Sequence, residues 1–347
     1  MDTHRPFVFI RVYPCSSVVK NPSVAVIDIG SNSIKVLVAG RAADGGVTTL
    51  QTATIEARIS AGISQDDPRL GEEGMARGLD AIRRLIADAA PFSPAQTVLV
   101  ATSAVRDAQN GEEFRARVLA ATGHAIRILS GNEEASLIGR GLTCDPALRG
   151  LRDFYVFDLG GGSLECLAFR DCRLAQVASL QLGCVRLTEK FVAVATAPFA
   201  ASAQLAIGSH TRDLFARSGF ACSLPAQAVA IGTGGTVATA RAVLGARDGK
   251  SFEQTDAVIT IAQLRALLAW VGALPLAARR QVPGLPPARA DVFPAALATL
   301  IAVAEWGGVP SYRNSLFNLR YGLAAAALHG SFAISTLARP VFPPRPG

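Results

Sequence analysis

One short pattern occurs twice and constrains the fold more than any other feature. Residues 28–38 read DIGSNSIKVLV and residues 158–168 read DLGGGSLECLA. They align without a gap, 130 residues apart, with Asp, Gly and Ser at the same offsets. Each copy follows an apolar run, VAVIDI at 24–29 and FYVFD at 154–158, whose β-branched and aromatic residues suit a buried strand. Gly30-Ser31-Asn32-Ser33 and Gly160-Gly161-Gly162-Ser163 are turns, and apolar residues resume behind both. Each unit is therefore strand, tight turn, strand. A P-loop or Rossmann turn leads from strand to helix instead, and the GxxxxGK[ST] pattern is absent. Duplication at about one domain's spacing predicts two similar α/β domains.

The rest of the chain supports that reading. It has 347 residues, half of them apolar and 18% charged, enough for two buried cores and too apolar for a disordered chain. Helical spacing is expected over 74–90, 110–121, 261–273, 292–305 and 316–329, and short strands at 97–100, 125–129 and AVAIG before residue 233. SGNEEASLIGRGL at 130–142 reads as a helix, with Ser130 as N-cap and Glu133 closing a capping box. The expected organisation is an extension at 1–22, domain I at 23–140, domain II at 141–330 with its last helix returning to domain I, and a Pro-rich frayed tail at 331–347.

Several function classes recede. No apolar run reaches the roughly 20 residues of a membrane helix, and the start lacks a signal-peptide core. The net charge is +7, and 30 of the 34 basic residues are Arg. A GC-rich coding bias accounts for that; Arg forks also match phosphate oxygens. No Lys/Arg block interleaves with aromatics, so no nucleic acid is expected. Six cysteines without a CxxC pair suit free thiols in a reducing cytoplasm, and no zinc site is expected.

The turns suggest chemistry. Gly, Ser and Asn let backbone N–H groups gather into an anion-binding nest. An Asp at the strand end can hold a divalent cation directly or through water. Two facing copies would clamp one polyanion across a cleft.

DIGSNSIK, ATSAVRDAQNGEEF, SGNEEA, FDLGGGSLE, LGCVRLTE and GTGGT occur here in the order in which they occur in the Ppx/GppA phosphatases. The chain resembles that family from about Ser23 to about Leu328 and is similar to its short two-domain form. The resemblance implies two ribonuclease-H-like domains of the actin-like ATPase superfamily with a cleft between them. It implies Glu134 as the catalytic glutamate and Arg106 as the cleft arginine. Glu133 competes for the role of Glu134 but suits the cap, and a surface pairing with Asp107 competes for Arg106. Gly30, Ser31, Asn32 and Ser33 match the first phosphate loop, and Gly160, Gly161, Gly162 and Ser163 the second. Gly234 and Gly235 match a later glycine turn that either binds further phosphate or only admits a close helix. Asp158, Glu165 and Asp28 match the metal carboxylates, for Mg²⁺ or Mn²⁺. Two departures touch the hinge and substrate length: Arg58-Ile-Ser-Ala-Gly-Ile stands where many members read RLGEGL, and SLFNLRYGL replaces S-x-x-G-L-R-E-G.

The implied activity is exopolyphosphatase, Mg²⁺-dependent removal of terminal orthophosphate from polyphosphate. The same chemistry on guanosine pentaphosphate (pppGpp) is the near alternative; a small-molecule kinase and a non-catalytic polyphosphate or alarmone sensor are remote ones. The expected partner is polyphosphate or pppGpp, a homodimer is left open, and the expected location is cytoplasmic.

Overall fold

The computed structural model describes residues 22–63, 67–225 and 227–330. The expected tail and all but the last residue of the expected extension lie outside the described residues. The first apolar run becomes β1 (Ser23–Ile29), buried throughout. The turn returns the chain as β2 (Ile34–Arg41), antiparallel to β1, and β3 (Val47–Ile55) pairs antiparallel to β2. Helix α1 (Glu72–Ala89) leads to β4 (Gln96–Ala101), parallel to β1. Then α2 (Ser103–Asp107) and α3 (Gly111–Thr122) lead to β5 (Ile126–Ile128), parallel to β4.

The second half starts with α4 (Gly131–Leu142), then β6 (Phe154–Leu159), β7 (Leu164–Arg170) and β8 (Arg173–Leu180). Next come α5 (Cys184–Phe191), α6 (Ala201–Ser218), β9 (Val229–Thr233) and α7 (Gly234–Arg247). The chain closes with β10 (Val258–Thr260), α8 (Ile261–Gly272), α9 (Leu276–Arg279), α10 (Phe293–Gly307), β11 (Ser311–Asn314) and α11 (Leu319–Leu328).

The sheet orders are β3-β2-β1-β4-β5 and β10-β11-β9-β6-β7-β8. Read from β8 to β11, the second sheet repeats the succession and strand directions of the first. The repeat seen in eleven residues is thus a repeat of two ribonuclease-H-like α/β sheets. The third strand of each hairpin lies beyond what the sequence reading predicted. β3 is Thr-rich and half exposed, so it carries little apolar signal.

The pleat sends alternate side chains to opposite faces, which sorts the core into layers. On β1, Ala25, Ile27 and Ile29 pack outward with α1 and α3, while Val24 and Val26 face the second sheet. On β6, Tyr155, Phe157 and Leu159 pack outward with α6, α8 and α10, while Phe154 and Val156 face the first sheet. Between the sheets lie α4 and α11, whose Leu137, Ile138, Leu319 and Leu323 join both inner faces into one cluster. These two helices touch backbone to backbone: a Cβ on Gly141 would sit 1.9 Å from the carbonyl oxygen of Asn318, and one on Gly322 1.9 Å from that of Leu137. The C-terminal helix thereby lies against α4, β1 and β2, far from its neighbours in sequence.

Candidate active site

The pleat also aims the conserved spacing of the repeat. Asp28 shares a face with Val24 and Val26, and Asp158 with Phe154 and Val156, so both carboxylates point into the layer between the sheets. The register sets Lys35 opposite Asp28 and Glu165 opposite Asp158. Cross-strand partners share a face, so these four side chains converge at the open end of that layer. The two turns close alike: the Gly30 N–H donates to Ser33 O at 3.2 Å and the Gly160 N–H to Ser163 O at 3.0 Å.

The turns also meet each other. A Cβ on Gly161 would lie 2.8 Å from Ser31 Cβ, and one on Gly162 2.3 Å from Ser103 Oγ. Only glycine permits that approach. Gly234, with φ +81°, brings the start of α7 so near that a Cβ there would sit 2.3 Å from Asp158 Oδ1.

Glu134 enters on the first turn of α4. Its neighbour Glu133 is committed to the capping box, accepting from the Ser130 N–H at 2.9 Å, and to an ion pair with Arg127 at 2.6 Å. Glu134 is left free to turn inward, where it is only 6% exposed and accepts from Arg106 Nη1 at 3.0 Å. Arg106 also donates to Leu129 O at 2.9 Å and lies 3.5 Å from Asp107. Asp107 in turn holds Arg186 of the second half at 2.7 Å.

A narrow cavity of about 70 Å³ is lined by Glu134, Asp28, Asp158, Glu165 and Lys35, with Gly30–Ser33, Gly160, Gly161 and Ser163 from the turns and Gly234 and Gly235 from the start of α7. Of the residues expected at the site, only Gly162 and Arg106 stand off this lining: Gly162 packs on Ser103, and Arg106 joins through Glu134 and opens onto a wider cavity of about 340 Å³ beyond Ser163. Burial pushes Glu134 well above the ordinary carboxylate range, and the nearby Glu165 pushes it the same way. Burial likewise raises Glu165 to about 7, against the hydrogen bond from Ser163 and with the charge of Asp158. Asp28 and Asp158 are raised by burial too, and burial lowers Lys35.

The residues suit a hard divalent cation in part. Asp158, half-buried, and Glu165, buried, are adjacent oxygen donors, and Asp28 Oδ1 is buried with no hydrogen-bond partner. Yet among the described residues no group of three or more His, Cys, Asp or Glu side chains gathers as a metal site. Lys35 and Arg320 act on both aspartates and already supply positive charge there. That balance fits Mg²⁺, which takes one or two carboxylates plus water and substrate phosphate.

The sequence reading missed four contributors. Lys35 had a signal: the repeat sets it at the offset of Glu165. Arg320 of α11 lies in the departure SLFNLRYGL. Glu56 and Arg289 had none. Arg289 comes from the Pro-rich loop, lines the cavity, and donates to Glu56 at 3.0 Å and to Ser33 Oγ at 3.4 Å. Arg58, the first residue of the RISAGI departure, bridges to Asp291 and to Ala288 O, 230 or more residues away. No described helix is long and apolar enough to cross a membrane.

Known proteins can now be set beside this geometry. The model of the Ppx/GppA phosphatase family matches residues 37–329. The guanosine-5'-triphosphate,3'-diphosphate pyrophosphatase of Vibrio cholerae is 30% identical over 309 residues, 89% of this chain. This chain spans about 60% of the length of the curated relatives it matches. Among solved structures, an exopolyphosphatase from Cytophaga hutchinsonii superposes with TM-score 0.77 at 20% identity, covering 89% of this chain and 98% of that one. The Aquifex aeolicus Ppx/GppA family member superposes with TM-score 0.71 at 21% identity, covering 90% and 99%. The family match runs from within β2 of the first sheet through the second sheet and α11, and this chain belongs to the Ppx/GppA phosphatase family.

Proposed function

We propose that the chain is a phosphoanhydride hydrolase that removes the terminal orthophosphate of inorganic polyphosphate. One observation carries this reading: two facing Asp–turn units converge on Glu134, buried at the start of α4. The backbone N–H groups of the turns hold the terminal phosphoryl group, and Lys35 offsets its charge. Glu134 orients a water and takes its proton as the water oxygen attacks the terminal phosphorus. The P–O bond to the next phosphate breaks, leaving orthophosphate and a chain one unit shorter. Arg106 holds Glu134 in place and lies next to the wider cavity, where the shortened chain departs. Asp158 and Glu165 would hold Mg²⁺ or Mn²⁺, which when bound draws charge from phosphate oxygens.

The Vibrio cholerae relative favours a second reading, the same cleavage on guanosine pentaphosphate. Against it, no described residue lining the narrow cavity is aromatic, so no ring there stacks on guanine. The test is orthophosphate release measured in parallel on long polyphosphate, tripolyphosphate and guanosine pentaphosphate, with Mg²⁺ and with excess chelator. The highest kcat/KM is expected on long polyphosphate, and none of the three should turn over in chelator. A higher kcat/KM on guanosine pentaphosphate establishes the second reading instead.

A further inference from the structure

Glu56 follows β3 at the rim of the cleft, with a side chain 22% exposed. Its two carboxylate oxygens accept from opposite sides. Oε2 takes the amide of Asn32, in the first phosphate turn, at 2.6 Å. Oε1 takes Nε of Arg289, from the second half of the chain, at 3.0 Å. Arg289 reaches the first turn through Ser33 Oγ, and its guanidinium lies so near Gly235 that a Cβ there would be 2.0 Å from Nη1. It thus stands between the first turn and the start of α7, with an arginine fork suited to a phosphate. The anion in that fork is the protein's own.

Neither donor depends on Glu56 for its place. Asn32 is also held through its Oδ1 by Arg58 Nε at 3.2 Å, and Arg58 is tied to Asp291. Arg289 keeps Ser33 and sits two residues from Asp291 in the same anchored segment. Without Glu56, both would remain at the rim with open valences. We propose that Glu56 is a built-in competitor for the outer phosphate position: its carboxylate occupies Asn32 and Arg289 until the penultimate phosphate of a polyanion displaces it. The residue would then set specificity, weakening the grip on every phosphate beyond the terminal one and leaving the terminal one untouched. This inference rests on the polyphosphate reading above.

A partly exposed ion pair of this kind is weak, so its removal should tighten a competing anion roughly 3- to 10-fold. The measurement is calorimetric titration of inorganic tripolyphosphate and of orthophosphate in a Glu134→Ala background, which prevents turnover. Glu56→Ala should lower the tripolyphosphate Kd by that factor and leave the orthophosphate Kd within about twofold. Glu56→Gln, which keeps the shape and loses the charge, should fall between. In an Arg289→Ala background the gain should vanish. An unchanged or higher tripolyphosphate Kd in both Glu56 variants would overturn the proposal and make Glu56 a residue that only positions Arg289. Equal gains for orthophosphate would overturn it as well, since they would reflect charge alone. If the unmutated chain releases no orthophosphate from any substrate while the binding gain persists, the hydrolase reading fails and the competitor stands.

Discussion

At the scale of single residues, the choice between Glu133 and Glu134 shows how local rules reach chemistry. The S-x-x-E pattern is readable as a capping box, and the cap uses up Glu133. What remains is a buried carboxylate beside an arginine. Glu134→Ala should cut kcat at least about 100-fold with polyphosphate binding retained; turnover within twofold of the unmutated chain would refute the role. The pH profile follows from burial. Glu134 must be ionised to accept a proton, and its pKa is raised above the ordinary 4.5. The acid limb of log kcat should therefore lie well above pH 4.5, and an acid limb at the free-glutamate value would contradict it. Stability has the opposite sign. The folded pKa of Glu165 is raised from 4.5 to about 7, so the folded state holds that proton more tightly than the unfolded chain. Its stabilising share is complete below about 4.5 and is lost as pH rises through 7. In metal-free buffer the melting temperature should fall between about pH 4.5 and 7 and level off above, and Glu165→Gln should flatten that slope. Parallel slopes would show that Glu165 does not carry the effect.

At the scale of elements, the crossing of α4 and α11 is the contact that most clearly fixes the site. It ties the helix bearing Glu134, which packs on β7 and β8 of the second sheet, to α11 on β1 and β2 of the first, and it depends on Gly141 and Gly322. Ala at either position places a Cβ against a backbone carbonyl that no rotamer change relieves. Each substitution should cost about 1–3 kcal/mol, read as a shift in the denaturation midpoint. Gly71→Ala is the matched control, because a Cβ there meets nothing within 4 Å. Equal midpoints for all three would mean that the helices can separate freely. Neither glycine announces itself in the sequence, since both lie in helices where glycine is simply a poor former. The inner strands β1, β2, β6 and β7 were legible because continuous burial demands continuous apolar runs. β11 was not: four residues, SYRN, carry too little pattern, and the strand is fixed by pairing with β9 and β10.

At the scale of the whole molecule, the site is assembled from segments that local patterns could not bring together. The repeat revealed the two turns, and it set Lys35 against Glu165. It said nothing of Arg289, whose partner Glu56 is 233 residues away. Contacts across the cleft are mostly ionic at its rim: Arg58 with Asp291, Arg289 with Glu56, Arg186 with Asp107, and the Gly62 N–H with Glu189 at 2.9 Å. Inside, the cavity is too small for more than the end of a polyanion, so the remainder of a long chain must lie along that rim and compete with its carboxylates for the arginines. Rim charges are screened with a Debye length of about 8 Å at physiological salt, whereas buried partners are screened much less. The KM for long polyphosphate should therefore rise steeply with added salt, and that for tripolyphosphate should rise less. The slope for the long chain should also shrink in Arg58→Ala, which removes a rim charge without touching Glu134. Equal slopes for the two lengths would mean that only the inner cavity binds substrate, and that the arginines around it serve to hold the two halves together.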